Sequence, residues 1–421
     1  MISVRNHRPP LSGNKWLVIL GVALFAWACS PKIRPIAPPV KPPVVEKPVV
    51  VTPPKPVEKP VVKPPARTSV IALILPFGLD HLSPASAYTD VTLKQADLAL
   101  DYYQGFKMAL DSLTAQGYNY KLQLFDSKDV PAQARALALN PQVKASDLIV
   151  GPVFPDDIKA FTALLTAPRK PIVSPLAPSE PSLFKNPNLI TVVPPLDCHA
   201  WAAAEYITKT IRPKKLFVLR SGYSDEINYL TPFKKGIDSL GKKQIIVNQA
   251  TIVHGNLAAI IPQLSLTQQN VFVIAATDAA FLNVTLKTLD SLSDKYPIIL
   301  FGHPSWEKFT FLKAELLQRL NTHITISDKI DYKSPSIMAF MRDYRKVYNV
   351  EATDYAIKGF DEGMYFGKQL GVNSGDVKNL DKNSFTGLHN NFNFTGRPGL
   401  GWVNTHVTLY QYINFELKPV E

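Results

Sequence analysis

The sequence predicts an α/β protein, with two doubly wound parallel-sheet lobes behind an extended N-terminal segment. Two observations predict it. From residue 68 onward, short apolar runs alternate with amphipathic stretches of helical length, the rhythm of strands that feed crossover helices in a parallel sheet. That rhythm also runs twice, the second series starting near residue 196, and two series with short connections make two sheets. Residues 1–67 carry no such pattern. The chain therefore divides into 1–28, 29–67 and 68–421, and the last part is long enough for two cores.

Residues 1–28 hold Arg5, Arg8 and Lys15 and no acid, then a run of 13 uncharged, mostly apolar residues from Trp16 to Ala28. As a helix this run covers about 20 Å, short of a bilayer core of about 30 Å, so it predicts a cleaved signal peptide and not a permanent span. Ala26-Trp27-Ala28-Cys29 resembles a bacterial lipobox, although Ala26 stands where Leu is customary and Leu24 lies two residues further back. A plain secretory signal with an incidental cysteine is the alternative. The lipobox resemblance implies cleavage before Cys29 and acylation of that residue, which attaches the chain to a membrane. Two or three acyl chains anchor stably where one does not, at about 0.8 kcal/mol per buried methylene. Ser30 in place of Asp after the cysteine implies outer-membrane sorting, with the folded part facing the periplasm.

Residues 30–67 contain 13 prolines in 38 positions and no glycine. Proline removes an amide donor and fixes φ, which excludes helix and central strand. A disordered, extended polyproline II tether remains, on the order of 120 Å long when stretched at about 3.1 Å per residue. The charge follows the same division. Residues 1–67 carry 11 Lys and Arg against 2 Glu, whereas the remainder carries 35 against 32. The basic excess thus belongs mainly to the leader and tether, where lysines either are simply solvated or touch anionic wall polymers or headgroups. A net of +3 on the module gives no reason to expect a nucleic-acid face.

Ser69–Pro76 reads as a strand buried on both faces, followed by a helix over Leu93–Ala115 with Leu98, Tyr102, Phe106, Ala109 and Leu113 on one stripe. Strands follow over Lys121–Phe125, Asp147–Val150, Pro171–Ser174 and Leu189–Val193, with helices over Ala132–Leu139 and Asp156–Thr166. The second series has helices over Trp201–Ile211, Asp225–Leu240, Leu257–Leu264 and Phe281–Leu292, and strands over Leu216–Leu219, Gln244–Asn248, Val271–Ala275 and Ile298–Phe301. Amphipathic helices over Ser336–Tyr348 and Tyr355–Leu370 come next. The β-branched and aromatic segment Trp402–Phe415 reads as a terminal hairpin or strand pair. Gly105, inside the first helix, costs about 1 kcal/mol relative to Ala and predicts a close backbone approach.

Several segments carry a family resemblance. These are Leu75-Pro76 followed by Leu100–Ala109 with its Gly105-Phe106, then Asp147–Pro152, Pro171–Pro175, and Phe340–Tyr348 followed by Tyr355–Asp361. In this order they resemble type I periplasmic binding proteins, with Phe360 replacing a customary Tyr. Lipoprotein members from Bacteroidetes and the LppC-type lipoprotein activators of penicillin-binding synthases are similar. The resemblance spans nearly all of 68–421. It implies a Venus-flytrap shape, with one lobe from 68–195 and 329–385 and the other from 196–328 and 386–421. It also implies a cleft at the strand ends, where open α/β sheets bind ligands. Residues that follow predicted strand ends and would line that cleft are Phe77, Phe154, Ser174, Tyr223, Ser224, Thr277, Asp278, His303 and Trp306. Each is alternatively a loop or packing residue, and Asp361 is either structural or ligand-binding.

In amino-acid-binding members, hydroxyls after the third and fourth strands hold the ligand carboxylate. Here Pro155 and Pro178 take those positions by register. Proline has neither hydroxyl nor amide donor, so two charge-assisted hydrogen bonds of about 1.5–3 kcal/mol each would be missing. A slip of one or two residues would restore Ser174 or Ser179.

Catalytic signatures are lacking: the sequence contains no GxSxG elbow, P-loop or HExxH, and its eight histidines are scattered. Gly396–Gly401 has three glycines without a strand before or a helix after it. Acidic pairs Asp156-Asp157 and Asp225-Glu226 sit at expected helix N-termini, which the macrodipole favours. Cys198 beside His199 admits a thiol nucleophile, but it reads better as a small apolar residue in the first turn of a helix. With Cys29 acylated it has no disulfide partner. The expectation is a non-enzyme without cofactor or metal. Its partners would be a membrane through Cys29, a small molecule or muropeptide, or an envelope protein such as a peptidoglycan synthase. A solute receptor for an ABC-type transporter is the alternative.

Overall fold

A computed structural model describes residues 67–82, 89–165 and 170–420. The leader, Cys29, nearly all of the tether and Thr166 lie outside the described residues. The first lobe begins with β1 (Thr68–Leu75), whose residues Ile71 to Leu75 are fully buried. Helix α1 (Asp90–Thr114) opens with a reciprocal cap between Thr89 and Thr92, which satisfies two orphan amide groups. Its buried stripe of Ala99, Tyr102, Phe106, Ala109 and Leu113 recurs every three or four residues. It packs on β1 and on the later aromatic residues Tyr365 and Phe366.

Next come β2 (Asn119–Asp126), α2 (Pro131–Leu139), α3 (Pro141–Ala145), β3 (Leu148–Val150), α4 (Pro155–Thr162), β4 (Ile172–Ser174) and β5 (Leu189–Thr191). Proline opens α2, α3 and α4, where its missing amide costs nothing.

The second lobe holds α5 (Leu196–Tyr206) and β6 (Lys215–Arg220), then α6 (Ile227–Leu240), β7 (Ile246–Thr251), β8 (Asn270–Ile274), α7 (Ala279–Ser293), β9 (Ile298–Gly302), α8 (Ala314–Arg319) and β10 (Thr322–Ile326). The chain then adds α9 (Pro335–Tyr348), α10 (Asp354–Val372), β11 (Phe385–Thr386), β12 (Asn391–Phe392), β13 (Phe394–Arg397), β14 (Gly401–Asn404), β15 (Thr408–Ile413) and β16 (Glu416–Pro419).

Two seven-stranded sheets result, ordered β13-β14-β5-β4-β3-β1-β2 and β16-β15-β10-β9-β8-β6-β7. Both have the doubly wound 2-1-3-4-5 core, and both end in strands contributed by the C-terminal segment. Helix α10 packs on α1 through glycines: a Cβ on Gly105 would overlap the carbonyl oxygen of Ala356, and one on Gly359 that of Tyr102. This is the close approach that Gly105 predicts.

Three expectations about elements are corrected. Leu257–Leu264 is not a helix; only a short turn forms over Ile261–Gln263, because Pro262 removes an amide and disfavours the helical region at its predecessor. Trp402–Phe415 is not a hairpin. Strand β14 pairs with β13 and β5 in the first sheet, whereas β15 pairs with β10 and β16 in the second. The segment expected in the second lobe from residue 386 therefore serves the first sheet until Asn404, and the chain changes sheets over residues 405–407. The pleat gives one alternating pattern to any buried strand, so composition does not reveal which sheet a strand joins.

Candidate ligand cleft between the lobes

The nine candidate residues fall into different environments. Phe77 and Phe154 pack on the first-lobe core, Phe154 standing just before α4. Ser174 is 1% exposed, and its hydroxyl is buried without a hydrogen-bond partner. Tyr223 is 61% exposed, and Ser224 begins a short turn beside it. Thr277 is half-buried. Asp278 caps α7 by accepting from the Phe281 amide at 2.7 Å. Trp306 is a core residue, 1% exposed, its indole N–H donating to the Ala276 carbonyl at 2.9 Å. His303 alone among the nine lines the cavity between the lobes.

That cavity, about 510 Å³, takes its first-lobe wall from Leu176 and Pro178 after β4 and from Tyr355 and Lys358 on α10. His303, Glu307 and Lys308 after β9 face them, with His199 on α5 and Asp328 after β10. A neighbouring cavity of about 880 Å³ shares Glu307, Lys308, Asp328, Tyr355 and Lys358 and extends the space to Lys94, Asp97 and Asp101 on α1. The two make one continuous groove.

Charges inside the groove are largely paired. Lys358 Nζ lies 2.7 Å from Asp328 Oδ2, and Lys329 Nζ lies 3.5 Å from Glu307. Burial pushes the Asp328 carboxyl upward, but Lys358 and Lys308 outweigh it and hold the group below its ordinary value. Thr353 donates to Asp101 at 2.7 Å. Burial lowers His199 and His303 to about 4, so both rings are neutral near pH 7. His199 Nδ1 meets the Thr325 hydroxyl at 3.0 Å.

The hydroxyl cradle for a carboxylate is missing from the first-lobe wall. Pro178 lines the cavity; Ser174 and Ser179 are buried and do not. Pro155 is the first residue of α4. Sequence reasoning missed His199, Asp328, Tyr355 and Lys358. Asp328 follows β10, a strand absent from the predicted series because Thr322, His323 and Thr325 interrupt its apolar run although every residue in it is buried.

Asp361 lines neither cavity of this groove and serves structure. It accepts the Leu388 and His389 amides, each at 2.9 Å, and pairs with His389 Nδ1 at 2.6 Å. Cys198 is 9% exposed, and burial pushes its thiol up to about 12, which suits an inert thiol. Among the described residues, no group of three His, Cys, Asp or Glu could hold a metal ion, and no helix is long and apolar enough to cross a membrane.

The fold matches solved structures. One is the ABC transporter substrate-binding protein from Desulfitobacterium hafniense in complex with Leu, with 15% identity, 84% of this chain and 100% of that chain covered, and a TM-score of 0.52. Another is the LpoA C-domain from Haemophilus influenzae, a regulator of PBP1A, with 14% identity, 84% and 100% covered, and a TM-score of 0.56. Full-length LpoA from the same organism matches at 14% identity over 85% of this chain and 60% of that one, with a TM-score of 0.57. No curated protein sequence matches. At sequence level, residues 88–395 match the family described as periplasmic binding protein. With two doubly wound sheets around a groove, and with that match over well more than half its length, the chain belongs to the periplasmic binding protein family.

Proposed function

We propose that the chain is a non-catalytic lipoprotein, anchored in the outer membrane through lipid on Cys29, whose two-lobed module binds a ligand or regulates an envelope partner in cell-wall synthesis. The observation that carries this reading is the first-lobe wall of the groove, where Leu176 and Pro178 stand and no hydroxyl from the loops after β3 or β4 enters the cavity. A free amino acid would leave its carboxylate short of donors there, at a cost of about 1.5–3 kcal/mol per missing charge-assisted bond. A larger ligand, such as a muropeptide, has other groups with which to fill the groove. The proline-rich segment over residues 30–67 also suits a module held on a semi-rigid spacer.

The second reading is a solute receptor for an ABC-type transporter. The likeness in fold to a substrate-binding protein solved with Leu favours it. Detergent-free fractionation with a high-salt wash, which screens electrostatic contact with headgroups, tests the anchor: the Cys29→Ser chain should leave the membrane fraction, and retention there would contradict lipidation. Co-purification tests the partner: a peptidoglycan synthase recovered with the native chain, and lost when residues 30–67 are deleted, supports regulation. Recovery of a transporter instead supports the receptor reading.

A further inference from the structure

The small net charge of the module conceals a local excess. Residues 205–215 and 234–249 hold eight Lys and Arg against Glu205 and Asp238 alone, whereas residues 68–421 as a whole carry 35 cations against 32 acids. Without these two segments the rest of the module is therefore net acidic.

The fold brings the two segments together. The first runs from the end of α5 into β6, and the second from the end of α6 into β7. Strands β6 and β7 are neighbours, with Lys215 opposite Ile246. The Ile246 amide also donates to the Lys214 carbonyl at 3.0 Å. The cations thus lie at the N-terminal ends of these strands, on the opposite end of the sheet from the ligand groove.

They are displayed and not consumed. Lys209, Arg212, Lys214, Lys242 and Lys243 are exposed. Lys209 pairs with Glu205 at 2.5 Å. Lys214, Lys242 and Lys243 make no side-chain hydrogen bond or ion pair among the described residues. Arg212, Lys242 and Lys243 sit at φ of 53°, 51° and 57°, a left-handed conformation that residues with a Cβ rarely adopt. Ile246, 62% exposed, stands beside them. Cations at helix C-termini are individually ordinary, but that preference does not account for three unpaired lysines and an exposed isoleucine on two joined loops.

We propose that this end of the second lobe is a docking surface for an anionic phospholipid membrane. Lys214, Lys242 and Lys243 line neither cavity of the groove and stand exposed on two joined loops, an arrangement that suits an extended anionic surface better than an enclosed small anion. The charges are spread out and mostly lysine, point charges that suit a plane of phosphate headgroups, and Ile246 offers an apolar side chain to the interface. The proposal rests on the anchored reading in one respect: lipid on Cys29 would hold the module at high effective concentration beside a membrane, so a weak patch suffices.

The test uses the full chain carrying Cys29→Ser, which removes the anchor but keeps the basic tether. It is mixed with vesicles of phosphatidylcholine alone, or with phosphatidylglycerol at roughly one part in three. Binding is expected only to the anionic vesicles, and Lys214→Glu with Lys242→Glu and Lys243→Glu should weaken it about tenfold or more at unchanged Tm. Equal binding by the triple variant would overturn the proposal, as would an equal loss on reversing three exposed lysines elsewhere, Lys121, Lys144 and Lys185. Equal affinity of the parent for a single-stranded oligonucleotide, lost in the same variant, would also overturn it, since the patch would then read polyanions in general. Retention of the Cys29→Ser chain in cell membranes after a high-salt wash reports on the anchor; these vesicle comparisons report on the patch.

Discussion

His389 Nδ1 lies 2.6 Å from Asp361 Oδ2, and both side chains are almost fully buried. The same carboxylate receives the amides of Leu388 and His389, so one side chain on α10 fastens the 387–390 loop that leads into β12. A Cβ on Gly387 would overlap Asp361 Oδ2, which shows how closely the loop approaches.

Asp361→Ala should therefore leave two amides and an imidazole without an acceptor. At about 1–3 kcal/mol for each buried group left unpaired, the expected loss is on the order of 3 kcal/mol or more. Denaturant unfolding measures it. Asp361→Asn keeps one acceptor oxygen and should cost less. A loss below about 1 kcal/mol for Asp361→Ala would mean that the loop is held by other contacts.

Gly359→Ala should destabilise the first lobe although alanine is the better helix former by about 1 kcal/mol. A Cβ there would overlap the Tyr102 carbonyl oxygen, with Phe106 N 3.1 Å away. Both are backbone atoms, so relief requires α1 and α10 to separate. Overpacking of this kind costs about 1–3 kcal/mol or more. A control at Gly117, where a Cβ meets nothing within 4 Å but φ is +98°, reports backbone strain alone and should cost less. Thermal unfolding of the two variants checks the order.

Acid should weaken the fold in a defined window. Burial lowers His199, His303 and His323 to about 4, against an ordinary value of 6.5. Above pH 6.5 these rings are neutral in both folded and unfolded chains and contribute no slope. Below it the unfolded chain gains protons that the fold refuses, so stability falls as pH drops from about 6.5 to about 4 and then levels for these groups. Each contributes on the order of 3 kcal/mol across the window. Asp157, raised to about 6 by burial, opposes this slope in the same window, so the comparison is between chains: denaturant unfolding at several pH values should show His199→Gln losing one histidine's share of the fall, on the order of 3 kcal/mol. An unchanged slope would show that His199 is not buried as a neutral ring.

The parts of the fold written in local pattern were legible from sequence. The fully buried β1, the stripe on α1 and the glycine at position 105 follow directly from period and composition. Pairing across long separations was not legible. Trp402–Phe415 has strand chemistry throughout, but Thr405–Val407 carries the chain from one sheet to the other, and no local signal marks that change. Strand β10 escaped because its buried threonines and histidine resemble a polar loop.

The site was less legible than the fold. Of the candidates placed after strand ends, His303 borders the cavity, whereas Trp306 three residues later turns inward to the Ala276 carbonyl. Lys358 reaches the groove from α10 and meets Asp328 across 30 residues, a relation that only the folded chain creates. The proline at 178 was the more informative signal, because the absence of a donor follows from covalent structure alone.

Titration of the module with free leucine, followed by thermal unfolding, tests the central claim most directly. A receptor with a Kd of about 10 μM would gain about 2.7 kcal/mol at 1 mM ligand, a rise of several degrees in Tm. The groove walled by Leu176 and Pro178 predicts no rise with leucine or any other free amino acid, and a rise with a peptide-bearing wall fragment. A rise of that size with one free amino acid would contradict the account.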